Sequence, residues 1–455
     1  MNPLSGEEAP VRVYILAGQS NMVGIGQVGP MGATRMNTYL SADDDAEEGA
    51  TLSIHPGEYD PTADYDAKEP AETMHVRLGY WPHTGFFTPD EPAVSIARGF
   101  IRISRAGEYS FQTTANSIME VDGTVFYDST DEDNIVENRI TLEAGRHPIK
   151  VTFLGNARSN LRHSIWDVPG TLKTLVKRQG RFPYLIDEDG GWLSRDDVWY
   201  HGVVTARASK WLAPGCGANH SQIGPELGFG HKVGDFHGDP VLVIKASQGN
   251  RSLGWDFLPP GSERFEIDGT VYAGYKDPQS SWPAGETPGE GNWYAGKQYD
   301  DCFGAVKEAL ANFDENFPHW EGRGYEIAGF GWFQGHKDTG SEVHAERYEH
   351  NLVNLIHALR NDFDAPDAPF VVAVGCGSEG REGHALTIAN GQLAVCGTAG
   401  NYPEFEGNVI TVETRDYFPD AEDSPRNQGY HYHQNAGTYM KIGEAIGRGM
   451  VELKE

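Results

Sequence analysis

The chain has 455 residues, 38% of them hydrophobic and 11% aromatic, with 56 Gly and 26 Pro; this is enough for two or three globular domains, or one large α/β unit carrying an insertion, and it excludes disorder over most of the length. Acidic residues number 66 against 36 basic ones, a formal charge of -30, which repels nucleic acid and anionic lipid at long range. The longest apolar runs, Val11 to Gly18 and Phe370 to Gly375, fall far short of the roughly 18 residues a membrane span requires.

In chain order, strands are predicted at Val11 to Ala17, Val241 to Ser247, Glu326 to Phe333, Phe370 to Gly375 and Val409 to Glu413. Helical patterns fall at Cys302 to Phe313, Ala345 to Asp362, His384 to Cys396 and Asn435 to Leu453. Such alternation is the signature of an α/β unit whose parallel sheet is covered on both faces. Within Ala345 to Asp362, the apolar residues Tyr348, Leu352, Leu355, Ile356 and Leu359 form one buried stripe. Residues 33 to 168 read differently, as short strands of period two with a hairpin signal at Asp122-Gly123. They are expected to form an all-β sandwich inserted into a loop of the α/β domain, which would comprise 1 to 32 and 169 to 455.

The front of that insert is acidic. Ser41 to Glu72 holds eleven Asp or Glu against the single Lys68 and reads as a solvated loop, since no EF-hand spacing supports calcium. Cys216, Cys302, Cys376 and Cys396 lack CxxC spacing, so neither a structural zinc site nor a redox motif is expected, although four Cys allow three disulfide pairings. No cofactor and no metal are expected. The start MNPLSGEEAP has no charged-then-apolar leader; the expected location is secreted or periplasmic with a leader removed, and a cytoplasmic one is the alternative.

The first strand runs into Gly18-Gln19-Ser20-Asn21-Met22, which puts the Ser20 hydroxyl at the carboxyl edge of the sheet, where open α/β folds bind ligands. A serine there is an ordinary helix cap as readily as a nucleophile, but further segments bear on the choice. Ile244 to Leu253 with Trp255, then Gly331-Trp332-Phe333-Gln334-Gly335-His336-Lys337-Asp338, then Tyr430 to His433 running into Asn435-Ala436-Gly437 all lie at or beyond strand ends.

With GQSNM, these segments resemble, in order, the motifs of the SGNH hydrolases, in particular the sialate O-acetylesterase-like carbohydrate esterases. The resemblance implies a three-layer αβα, flavodoxin-like hydrolase fold and a serine esterase removing O-acetyl groups from a polysaccharide or oligosaccharide through an acyl-enzyme. It implies Ser20 as nucleophile, a carboxyl-terminal His as base, and the Ser20 and Gly249 N–H groups with the Gln334 amide as oxyanion donors. Gln19, Asn250, His336, Asp338, Trp255 and Trp332 become candidate substrate contacts.

Two departures from the family stand out. Tyr430 and Gln428 occupy the positions three before His433 and His431, where the family has an orienting Asp. Asp416 or Glu413 could serve instead, or Ser and His could act as a dyad; either His431 or His433 could be the base. His336 replaces the family's Glu, as a substrate contact or a structural substitute. The insert resembles PA14-like modules at Ala106 to Phe111, Val121 to Gly123 and Leu142 to Ile149, which implies either glycan contact or a structural role. Two other functions stay open: a glycan-binding protein on a weakened hydrolase scaffold, or another short-chain acyl esterase.

Overall fold

The structure, a computed structural model, describes residues 9–29, 31–32, 38–41, 50–76, 92–103, 105–113, 117–128, 139–154, 161–165, 167–375 and 380–455. At its centre the strand Val11–Gly18 is apolar apart from Arg12, which pairs with Asp239 and Glu326, because both of its faces are covered. Val13, Ile15 and Ala17 enter one core, while Tyr14 and Leu16 enter the other.

Around it a seven-stranded sheet runs in the order Ser209–Trp211, Val198–Val203, Val241–Ser247, Val11–Gly18, Tyr325–Phe333, Phe370–Val374, Val409–Glu413. All neighbours pair in parallel except the edge strand Ser209–Trp211, which is antiparallel. The helices Lys297–Ala311 and Tyr348–Asp362 give Phe303, Val306, Leu352, Leu355 and Ile356 to the first core. Pro225–Phe236 and Ala436–Glu452 give Leu227, Phe229, Met440, Ile442 and Ile446 to the second. Each such side chain stabilises the fold by about 1.5–3 kcal/mol relative to exposure. The result is a mixed α/β unit with a parallel sheet.

Differences from the expected elements have local causes. The predicted helix from Ala345 is two, Glu342–Glu346 and Tyr348–Asp362, separated at Arg347. The helix Pro225–Phe236 is not among the predicted elements; its glycines at 228, 230 and 234 weaken any helical signal. Those glycines serve packing: a Cβ on Gly228 would stand 2.4 Å from the Met440 carbonyl oxygen, and one on Gly443 only 2.0 Å from that of Pro225. The two helices therefore approach backbone to backbone.

The chain divides into two compact units, Met1–Val28 with Pro169–Glu455, and Gly29–Val168. In the second, Ala93–Ile103 pairs antiparallel with Gly145–Leu154 and Ala50–Pro56 in one sheet, and Gly107–Thr113 pairs with Arg139–Leu142 in another. Ile101, Val121 and Val151 share a core with Tyr109 and Leu142. Asp122 (φ 51°) and Gly123 (φ 76°) make the two-residue turn between Ser117–Val121 and Thr124–Asp128, with both residues left-handed as a type I′ hairpin requires.

The acidic stretch is not one loop. Its residues 50–56 form a strand, and 57–71 cross to the next strand at Glu72–Val76, while 42–49 lie outside the described residues. Among the described residues Cys216, Cys302 and Cys396 are free thiols, no helix is long and apolar enough to cross a membrane, and no group of three or more His, Cys, Asp or Glu is placed to hold a metal ion.

Candidate active site

Ser20 opens a single helical turn, Ser20–Val23, directly after the central strand. The strand can end there only with glycine at position 18. Its φ is +153° and a Cβ would lie 2.1 Å from the Phe333 carbonyl oxygen. The turn is fastened from below by Lys245, a charged residue inside the otherwise apolar strand Val241–Ser247. Its Nζ donates to the carbonyl oxygens of Val23 (2.7 Å) and Cys216 (2.9 Å) and to Glu226 (2.8 Å), with both side chains of the ion pair fully buried. Removing one partner of such a pair would leave an uncompensated buried charge.

The second structural feature is the segment carrying the two histidines. His431, Tyr432, His433 and Gln434 have φ of 52°, 51°, 51° and 62°, a left-handed turn built without glycine. Each residue in this conformation costs about 1–2 kcal/mol, so the surroundings must hold it. Tyr432 is buried against Phe333, Phe418 and Tyr439. Tyr439 Oη donates to Asn21 Oδ1 (3.1 Å) and lies 3.4 Å from the His431 carbonyl oxygen, and Gln27 Nε2 donates to Gln434 Oε1 (2.7 Å).

This turn brings His431 Nε2 to 2.8 Å from Ser20 Oγ, while Tyr430 packs edge-on against the imidazole (4.7 Å). Burial, with the charge of nearby His336 acting in the same direction, lowers the His431 pKa to about 4. The ring is therefore neutral near pH 7, the state in which Nε2 can accept a proton. Among the described residues no carboxylate touches it. Asp416 is paired with Arg381 and its side chain is 70% exposed; Glu413 binds Arg415 (2.6 Å). Neither reaches a histidine ring, so the expected orienting role of Asp416 is corrected.

His433 is corrected as a base. It is 6% exposed, and its Nδ1 lies 3.2 Å from the N–H of Gln428 and 3.3 Å from that of Gly429. Its ring stands edge-on to Phe418 rather than at Ser20.

On the opposite wall the expected contacts turn inward. Gln334 is 1% exposed, and its Nε2 is engaged by Asp338 Oδ2 (2.6 Å), the Arg251 carbonyl oxygen (2.9 Å) and Gln19 Oε1 (3.1 Å). An amide so occupied has no proton left for an oxyanion. Gln19 Oε1 also lies 3.3 Å from Gly335 N and 3.2 Å from Lys337 N. Asp338, fully buried with its pKa raised by burial, accepts from the N–H groups of Leu253 (2.9 Å) and Gly254 (2.8 Å). Trp332 is likewise fully buried, its Nε1 donating to Tyr348 Oη (3.2 Å). All four side chains are buried, with their polar atoms engaged inside the protein. Gln334 and Asp338 tie the loop after Phe333 to the loop after Ser247, and this second loop carries Gly249.

A methyl group on Gly249 would stand 3.6 Å from Ser20 Cβ, which puts that backbone beside the serine. Asn250 (φ 57°) and His336 are exposed on neighbouring loops. Trp255 is half-buried against a small core with Leu258, Trp282 and Ala295. Sequence reasoning gave no role to Tyr439, Asn21, Glu226 or Lys245, although Asn21 lies in the GQSNM segment and Lys245 is a lone charge in an apolar strand.

A parallel sheet with a serine and a neutral histidine in contact at its carboxyl edge fits a hydrolase. The model of the carbohydrate esterase family described as sialic acid-specific acetylesterase matches residues 204–451, more than half of the chain. The chain belongs to this family and is a carboxylic ester hydrolase. The matched region begins after Ser20. Among solved structures the chain is similar to a protein from Arabidopsis thaliana at 14% identity (TM-score 0.37, 58% of this chain and 88% of that one). It is also similar to a carbohydrate acetylesterase from Xanthomonas citri at 11% (0.35, 78% and 70%) and to NanS at 12% (0.34, 57% and 88%). No curated protein matches the chain.

Proposed function

We propose that the protein hydrolyses O-acetyl esters on polysaccharide or oligosaccharide sugars, with Ser20 as nucleophile and His431 as general base. The 2.8 Å contact between His431 Nε2 and Ser20 Oγ carries this reading. Ser20 Oγ attacks the acetyl carbonyl carbon as its proton passes to Nε2. The carbon–oxygen bond to the sugar then breaks, Nε2 returns the proton to the departing sugar oxygen, and an acetyl-Ser20 intermediate forms. Water deprotonated by the same nitrogen attacks that ester, the bond to Ser20 Oγ breaks, Nε2 returns the proton to Oγ, and acetate is released. The N–H groups of Ser20 and Gly249 are the proposed oxyanion donors. With no carboxylate on the imidazole among the described residues, the pair works as a dyad whose His is oriented by its own backbone turn.

The proposal extends to the architecture: a three-layer SGNH hydrolase domain of residues 1–32 and 169–455, interrupted by a PA14-like β-sandwich over 33–168, and exported to meet its glycan. His336 and Asn250, both exposed beside the pair, are the proposed sugar contacts, with Trp255 at their margin. Release of p-nitrophenol from its acetate ester tests the chemistry. The parent should turn over and Ser20→Ala should not; undiminished turnover in that variant sinks the nucleophile. Tight glycan binding by a parent inert on every acetyl ester would favour a binding protein instead. Acetate release from acetylated xylan, xyloglucan, pectin and sialic acid then identifies the sugar.

A further inference from the structure

The Ser20–His431 pair leaves His433 unexplained. Two backbone N–H groups, those of Gln428 and Gly429, point at its Nδ1 (3.2 and 3.3 Å). Both are donors, so Nδ1 is the unprotonated acceptor and the ring carries its proton on Nε2. The main chain repeats the tie: Arg426 N–H donates to the His433 carbonyl oxygen (3.1 Å) and His433 N–H to that of Tyr430 (3.2 Å). Imidazole and backbone of this one residue thus bind the left-handed turn to the segment 426–430. A turn of Tyr, His and Gln residues has no intrinsic preference for positive φ, so it persists only while such ties hold.

We propose that His433 is the positioning residue of the site: as a neutral imidazole it clamps the left-handed turn that carries His431, and a proton on its Nδ1 opens the clamp and withdraws the base from Ser20. This rests on the Ser20–His431 reading of function. The physical cause is simple. A protonated Nδ1 would set an N–H against two N–H donors in a buried place, where nothing repays the lost bonds. Asp420 is the charge that bears on the ring and favours protonation; burial opposes it and is the larger effect, so the clamp stays closed at neutral pH. Phe418, which meets the ring edge-on, and the amide side chain of Gln428 carry no charge.

Two variants separate the clamp from bulk. His433→Phe keeps a ring against Phe418 but has no acceptor, whereas His433→Asn offers an amide oxygen near the place of Nδ1 that cannot titrate. On p-nitrophenyl acetate, His433→Phe should lose about a hundredfold in kcat with KM little changed, as misplacement of a catalytic group does, and His433→Asn should recover most of that loss. The acid limb of kcat/KM should steepen towards two protons in the parent and fall to one in His433→Asn. Nitrogen-15 NMR of the parent should show His433 with its proton on Nε2, and the His431 ring signals should move in His433→Phe but not in His433→Asn.

A parent His433 protonated on Nδ1, a His433→Phe variant with parental kcat, or a two-proton acid limb retained by His433→Asn would each overturn the proposal. Should Ser20→Ala keep its turnover, the Ser20–His431 reading would fall while the His431 ring signals in the His433 variants still decided the clamp.

Discussion

On one side of Ser20, Gln19, Gln334 and Asp338 lie buried with their polar atoms engaged by one another and by the N–H groups of Leu253, Gly254, Gly335 and Lys337. On the other, His431 rides on four consecutive left-handed residues, and its imidazole meets no carboxylate of the described residues. The first wall is rigid because each buried polar group there has found a partner, and losing one partner strands the others. The second is held in a costly backbone conformation by packing of Tyr432 and by bonds to His433 and Gln434. The difference teaches where sensitivity should lie: stability in the first wall, turnover and pH response in the second.

The sharpest test of the second wall is His431→Ala, which should lower kcat/KM on an acetate ester by about 10⁴-fold or more, as loss of a member of a nucleophile–base pair does, with the melting temperature little changed. A mild loss there would move the base elsewhere. The first wall should break by unfolding: Asp338→Ala strands the Leu253 and Gly254 N–H groups and the Gln334 amide, and should cost about 3 kcal/mol in urea denaturation. A variant as stable as the parent would mean that the network holds nothing.

Acid should separate the walls further. His431, and His231 within the helix Pro225–Phe236, are both pushed down to about 4, chiefly by burial, from 6.5 when free. Between these values the unfolded chain binds more protons than the folded one. Stability is therefore complete above 6.5 and is lost progressively as pH falls towards 4. Thermal melts across this window should show a steady decline, and a flat profile would deny the burial. The smallest effect is expected at Asp416→Asn. This carboxylate pairs with Arg381 at the surface, and kcat should change by less than about twofold; a large loss would restore it as the orienting acid.

Much of this was legible in the chain. Val409–Glu413 runs over the residues where its apolar alternation predicted it, and Asp122-Gly123 turns as a hairpin dipeptide should. The helix Pro225–Phe236 was not legible, because Gly228 answers to a second helix far away in sequence and Gly230 and Gly234 to Leu212 and Val198. The sequence offers Gln334 as an oxyanion donor and Asp338 and Trp332 as candidate substrate contacts, since a motif at a strand end gives a position without a direction. Their side chains point inward because the adjoining loops supply their partners.

By itself the sequence determined the alternation of strands and helices, the place of Ser20 at the end of the first strand, and the strongly acidic balance, for these depend on local period and composition. Which histidine meets Ser20 was decided by the tertiary structure alone. His431 and His433 are two residues apart in near-identical surroundings of Tyr and Gln, and a left-handed turn sends one ring to the serine and the other to the Gln428 and Gly429 amides. No local preference encodes that turn. Packing around Tyr432 and bonds from distant segments impose it, and the choice between the two rings follows.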